Sequence, residues 1–411
     1  MKKFLTLCAC ALAMASCAHD DPEYVDMTSY SYAERPGTFE VLRESDLDLA
    51  DPSLWGSAWG EGTKATSSNM VLTASNILST AISTKVHQVV GTYMSTDIHG
   101  KSIKVSGKII YPRNGEVKNM MLVSHFTIGS NAECPSESFS FESLYAALGY
   151  AVVISDYIGF GVTVKEVHPY LQAETCSRNV IDFGIAARPF LKDRGLAPKS
   201  SEVVLLGYSQ GGATTLHVQR LIETYKDYEG VFKIKINYAG SGPYNIARTY
   251  DYCIKRDVTG IPCAVPMIIQ GMSIGMDKPL DMSFFFREPL LSHYDDWLNS
   301  KKYTVGQISE KIGSDRLSEI LTKNATDRSN PETARFYKEL MNNSIPPSFI
   351  PGAPLFMFHS EDDQTVPFVN SQLMQRQFRY TESKIEYDFG HYGDHQQGAL
   401  KFILKVAKKL D

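Results

Sequence analysis

Three polar residues, far apart along the chain, have the types that covalent hydrolytic chemistry needs. Ser209 lies in "VLLGYSQGGA" (204–213), where an apolar, partly β-branched run gives way to a helical one. A serine at a strand-to-helix corner, flanked by Gly207 and Gly211, fits the G-x-S-x-G nucleophile elbow. Glycines let strand and helix approach closely while the serine oxygen stands exposed at the helix start. A serine hydroxyl is a weak nucleophile without a base, so this reading requires an acid and then a histidine downstream. "FHSEDDQTVP" (358–367) supplies Asp363, with Asp362 as the one-residue alternative. "GHYGDHQQGALKFIL" (390–404) supplies His395 and the alternative His391. His395 is favoured because it opens a helix, a rigid mount for a base.

Such a site also needs donors for a developing oxyanion. The Gln210 backbone N–H is the first candidate, since N–H groups at a helix start lack helical partners. The second falls in "SHFTIGS" (124–130), with Thr127 preferred and Phe126 and Ile128 as alternatives. The bland readings are that the acids solvate a loop or cap a helix, and that the histidines are ordinary loop residues. His391 and His395 are spaced i, i+4 beside Asp388 and Asp394, but Gly393 interrupts any shared helical face. No metal and no cofactor are therefore expected.

The elements that would position these residues alternate in type. "HQVVGTYMST" (87–96) and "SIKVSGKIIY" (102–111) read as a strand pair. Strands follow at "NMMLVSHF" (119–126), "YAVVISDY" (150–157), 203–206 and "VFKIKINYAG" (231–240), with helices at 140–149, 174–191 and after Ser209. The expected fold class is α/β, a mainly parallel sheet with helices on both faces. The alternation stops at Gly240 and resumes with "APLFMFHS" (353–360), a helix near 367–379, "KIEYDF" (384–389) and a closing helix from about 395 to 410. The stretch between is too long for a loop and rich in Met, Phe and Trp. It is expected to be a helical cap inserted after the sixth strand. Taken singly, its aromatic residues read as core rather than substrate contacts.

The chain has 411 residues and a formal net charge of −5, with no long basic run, which argues against nucleic acid as a partner. "MKKFLTLCACALAMASC" has the order of a secretory signal, and its ending at Cys17 resembles a bacterial lipobox. The expected divisions are a signal over 1–16, a lipidated, disordered tether over 17–50, a core over 51–245, the cap over 246–350 and the rest of the core over 351–411. Lipidation at Cys17 would anchor the protein to a membrane of the bacterial cell envelope without spanning it. Cys134, Cys176, Cys253 and Cys263 would then sit where disulfides persist. Cys253 and Cys263 are the preferred local pair, with buried free thiols as the alternative.

Together "GYSQGG", "EDDQTVP" and "GDHQQGALKFI" resemble the α/β-hydrolase superfamily, and more narrowly its secreted bacterial and fungal lipase and esterase branch. "SDYIGFG" (155–161), "HPYL" (168–171), "IAARPFL" (185–191) and "AGSGPYN" (239–245) add to the resemblance, which spans roughly 85–405. It implies hydrolysis of a carboxylic ester, with Ser209 as nucleophile, Asp363 as orienting acid and His395 as base; the aromatic and Met-rich insertion suggests a small substrate with an apolar acyl or aryl group. Two departures stand out. "HFTIGS" lacks the glycine-rich run of many esterases, and Ser360 stands where a glycine is usual. The rival readings are a serine peptidase of the prolyl-oligopeptidase kind and a non-catalytic binding module. The region before residue 85 is too short for the propeller that such peptidases usually carry.

Overall fold

The computed structural model describes residues 39–56, 72 and 74–410. The expected signal sequence and Cys17 lie outside the described residues.

A nine-stranded sheet with the order β1-β2-β3-β5-β4-β6-β7-β8-β9 forms the frame. Its strands are β1 (Glu40–Asp48), β2 (Lys85–Thr96), β3 (Ser102–Pro112), β4 (Asn119–Ser124) and β5 (Tyr150–Ser155), then β6 (Glu202–Tyr208), β7 (Lys233–Gly240), β8 (Leu355–Ser360) and β9 (Ile385–Gly390). β1, β2 and β3 pair antiparallel, and β3 joins β5 antiparallel. From β5 through β4, β6, β7 and β8 to β9, every pairing is parallel.

The continuous apolar runs in the sequence follow from burial on both faces. Met121, Val123, Val152, Ile154, Val204 and Leu206 point into one core. Their alternate neighbours Met120, Leu122, Ala151, Val153, Val203 and Leu205 point into another. This is the two-residue period of a strand covered on both sides. The first core is closed by α1 (Ser143–Ala147) and by the last helix, α9 (His395–Leu410). The second is closed by α2 (Ala173–Asp193) and α3 (Gln210–Thr224). Each fully buried Val, Leu or Ile contributes about 1.5–3 kcal/mol.

Two boundaries differ from expectation. The tether expected through residue 50 ends earlier, because Glu40–Asp48 is the edge strand β1, so the folded body starts before residue 51. This strand also means that the insertion follows the seventh strand rather than the sixth.

The insertion carries helices α4 (Ile246–Arg256), α5 (Ala264–Ile274), α6 (Val305–Ile312) and α7 (Pro331–Asn342), with several short helical turns. Local sequence sets their limits. The Asn245 side chain accepts from Arg248 N–H to start α4, and Asp257 ends it in the left-handed region at φ 64°. Asn330 caps α7, with Pro331 in its first turn. Tyr250, Phe285, Ile308 and Phe336 are fully buried in a core of its own, to which Tyr170, Leu171 and Ala213 of the main body also belong. The aromatic richness of this stretch is mostly explained by that core. Cys253 and Cys263 are buried free thiols and not the expected pair. Both belong to the core of the insertion, and the Cys263 thiol lies 3.6 Å from the Val305 carbonyl. A further helix of the main body, α8 (Val369–Gln377), lies between β8 and β9 in the chain.

Candidate active site

The end of β6 turns sharply into α3 at Ser209, whose backbone is held at φ 58°, ψ −124°. For a non-glycine residue such a conformation costs on the order of 1–3 kcal/mol and persists only where the surroundings enforce it. Here they do. A Cβ on Gly207 would lie 2.0 Å from the Gly211 carbonyl oxygen, and one on Gly211 would lie 2.0 Å from that of Ser124. Strand, turn and helix therefore meet backbone to backbone. Ser209 N–H donates to the Gly240 carbonyl at 3.0 Å, which ties the turn to the end of β7.

The loops after β8 and β9 reach the same sheet edge. His395 Nε2 lies 2.8 Å from Ser209 Oγ, and His395 Nδ1 lies 2.5 Å from Asp363 Oδ2. The other Asp363 oxygen, Oδ1, accepts from Thr365 N–H and Val366 N–H, both at 2.9 Å. Burial would raise the Asp363 carboxyl. The His395 charge and hydrogen bond, His359 and the Val366 N–H outweigh it and hold the group below its ordinary value. Ser209, Asp363 and His395 are all buried.

The alternatives raised by the sequence sort themselves out by position. His391 is exposed, and its Nδ1 lies 2.8 Å from Asp362 Oδ1, so the two rivals pair with each other at the surface. Among the described residues no group of three or more His, Cys, Asp or Glu side chains could hold a metal ion.

Three supporting residues escape a reading of the motifs. Tyr208 donates its hydroxyl to the His395 carbonyl at 2.7 Å and lays its ring 5.1 Å from the imidazole. His359 is fully buried beneath Asp363, 3.6 Å from Oδ2. Burial holds its imidazole down to about 4, so it is neutral at pH 7. Its Nε2–H donates to the Val366 carbonyl at 3.0 Å, and its Nδ1 accepts from Ser371 Oγ at 2.7 Å. Ser360 ties two loops together. Its hydroxyl donates to the Gly393 carbonyl at 2.5 Å and accepts from Tyr392 N–H at 3.1 Å, joining the acid loop to the histidine loop.

Gln210 is the first residue of α3, directly after Ser209. Thr127 sits on the loop after β4, the strand that pairs with β6. The close approach of Gly211 to Ser124 and His125 sets that loop against the elbow. His168 Nε2 lies 3.0 Å from Gln210 Nε2, and the Tyr170 hydroxyl lies 2.8 Å from Thr127 Oγ1.

No protein-family model matches the sequence, and no curated protein matches it in sequence. Solved structures do match in shape. The rice cell wall degrading esterase LipA from Xanthomonas oryzae superposes with a TM-score of 0.71 at 20% identity, covering 92% of this chain and 96% of that one. Lipase A from Candida antarctica superposes with a TM-score of 0.59 at 14% identity, covering 87% of this chain and 77% of that one. A mainly parallel sheet covered on both faces, a strained serine at its carboxyl edge and this likeness over nearly the whole chain lead to one conclusion. The chain has the α/β-hydrolase fold.

Proposed function

We propose that the protein is a serine hydrolase that cleaves carboxylic esters through an acyl-enzyme intermediate. The observation that carries this reading is the continuous relay from Ser209 Oγ through His395 to Asp363, at 2.8 and 2.5 Å. His395 Nε2 takes the proton of Ser209 as its oxygen attacks the ester carbonyl. Asp363 fixes the imidazole with its hydrogen on Nδ1 and stabilises the imidazolium. The Gln210 and Thr127 backbone N–H groups receive the negative charge of the tetrahedral intermediate. His395 then protonates the departing alcohol, and water releases the acyl group by the same steps in reverse. No cofactor or metal enters this scheme. The helical insertion over residues 246–350 acts as the cap, and its apolar composition suits an ester with an apolar acyl or aryl group. The core it shares with Tyr170, Leu171 and Ala213 of the main body supports this part of the reading.

The sequence before the folded body supports lipidation at Cys17 and anchoring in the bacterial cell envelope. Metabolic labelling with a palmitate analogue, lost in Cys17→Ala, checks this part separately.

Parallel assays on p-nitrophenyl esters of graded chain length and on dipeptidyl p-nitroanilides test the reaction class. Ester hydrolysis that vanishes in Ser209→Ala supports it. Turnover of the anilides alone would point to a peptidase. No turnover of either would leave a binding module.

A further inference from the structure

The turn "HPYL" (168–171) takes no part in the reaction described above, yet it touches both arms of the oxyanion site. We propose that His168 and Tyr170 are positioning residues that brace the two oxyanion donors against each other. The inference rests on the ester-hydrolase reading and on the assignment of Gln210 and Thr127 as donors.

The chemistry of the His168 contact is determined by its surroundings. Nδ1 lies 2.8 Å from the Ile158 carbonyl, an acceptor only, so Nδ1 carries the hydrogen. Burial, then the charge of Lys301, push the imidazole well below its ordinary value and keep it neutral. Nε2 is therefore a lone-pair acceptor and takes a hydrogen from the Gln210 carboxamide at 3.0 Å. The carboxamide oxygen is buried with no partner among the described residues, so this bond is what fixes the side chain. A histidine here thus holds the residue whose main-chain N–H is assigned to the oxyanion.

Two residues on, the Tyr170 hydroxyl shares a hydrogen bond of 2.8 Å with Thr127 Oγ1. Leu171, at the end of the motif, holds a left-handed backbone at φ 58°. The turn is also clamped from the insertion side. A Cβ on Gly271 of α5 would lie 2.3 Å from the Tyr170 carbonyl oxygen, and Gln172 Nε2 donates to the Gly271 carbonyl at 2.9 Å. One turn, pinned by the insertion at Gly271, thereby braces two donors that follow different strands. Preorganised donors are effective because they need no reorganisation as charge develops, so loosening either should slow the chemical step rather than weaken substrate binding.

The test is a set of single variants in the full chain, assayed on a p-nitrophenyl ester alongside Ser209→Ala. Tyr170→Phe removes one hydroxyl and keeps the ring. His168→Asn can still reach Ile158 but not Gln210, whereas His168→Gln can reach Gln210. Tyr170→Phe and His168→Asn are expected to lower kcat by roughly tenfold or more with KM within about twofold, and to weaken a phenylboronic acid inhibitor in parallel. His168→Gln is expected to recover part of the loss. The brace is overturned if kcat stays within about twofold of wild type, if the change falls in KM alone, or if His168→Gln is no better than His168→Asn. Should Tyr170→Phe fail to fold, the histidine pair decides alone. Wild-type activity that persists in Ser209→Ala would refute the underlying hydrolase reading, and the brace with it.

Discussion

Replacing Asp363 by asparagine should disable the site without disturbing its shape, and the structure says how. Asp363 Oδ1 accepts two backbone N–H groups, from Thr365 and Val366, while Oδ2 faces His395 Nδ1. In Asp363→Asn the carboxamide must put its oxygen toward the two N–H donors, since an NH2 group there would meet them hydrogen to hydrogen. Its NH2 then faces His395 Nδ1 and forces that nitrogen to accept. The imidazole hydrogen moves to Nε2 and points at Ser209 Oγ, where a base must have a lone pair. The imidazolium also loses its neighbouring charge. A wrong tautomer in such a relay lowers turnover by about 10⁴-fold, which corresponds to roughly 5.5 kcal/mol in the barrier. The assay is steady-state hydrolysis of a p-nitrophenyl ester, with active-site concentration fixed by titration and folding checked by circular dichroism. A fall of about 10³–10⁴-fold in kcat with a native spectrum is expected. A folded variant within tenfold of wild type would refute the reasoning from the two N–H donors.

Further outcomes follow from the supporting contacts. Tyr208→Phe leaves the His395 carbonyl without its 2.7 Å donor and should lower the free energy of unfolding in urea by about 1 kcal/mol, with a fall in kcat; unchanged stability would show that the bond is idle. Gly211→Ala puts a methyl group 2.0 Å from a backbone oxygen that no side-chain rotation can relieve; it should destabilise by about 1–3 kcal/mol and abolish activity, and a fully active variant would rule out the close approach. His359 is held at about 4, below the ordinary 6.5, so as pH falls between those values the unfolded chain takes up a proton that the folded one refuses. Stability should therefore drop through that window by up to about 3 kcal/mol, and less steeply in His359→Gln; equal slopes would mean that this histidine titrates normally. Alkylation of the unfolded, unreduced protein should modify both Cys253 and Cys263, and a mass deficit of two hydrogens at that pair would contradict the free thiols.

How much of this was legible in the sequence depended on where each constraint lives. β4, β5, β6 and β8 announce themselves because strands covered on both faces must be largely apolar, and the elbow because its glycines are demanded by backbone contacts a few residues away. β1 gave no such signal. Eight of its nine residues are exposed, and it is held by its ladder to β2, which leaves no apolar period to read. The choice of His395 over His391 rested on the helix start, a local cue. The roles of Tyr208, His359 and Ser360 could not be read that way, since each depends on a loop from a distant part of the chain or on burial beneath another side chain. "HPYL" stood out as a motif, but its function needs the juxtaposition of residues 127, 168, 170 and 210. The preference for a Cys253–Cys263 disulfide rested on chain proximity alone, and both thiols are buried unbridged in the core of the insertion.

The reactivity of Ser209 is the most direct measure of the whole scheme. Folded protein treated with a fluorophosphonate probe and mapped by peptide mass spectrometry should carry one adduct, on Ser209, lost in Ser209→Ala and greatly slowed in His395→Ala. No adduct on the folded protein, or an adduct on a different serine, would contradict it.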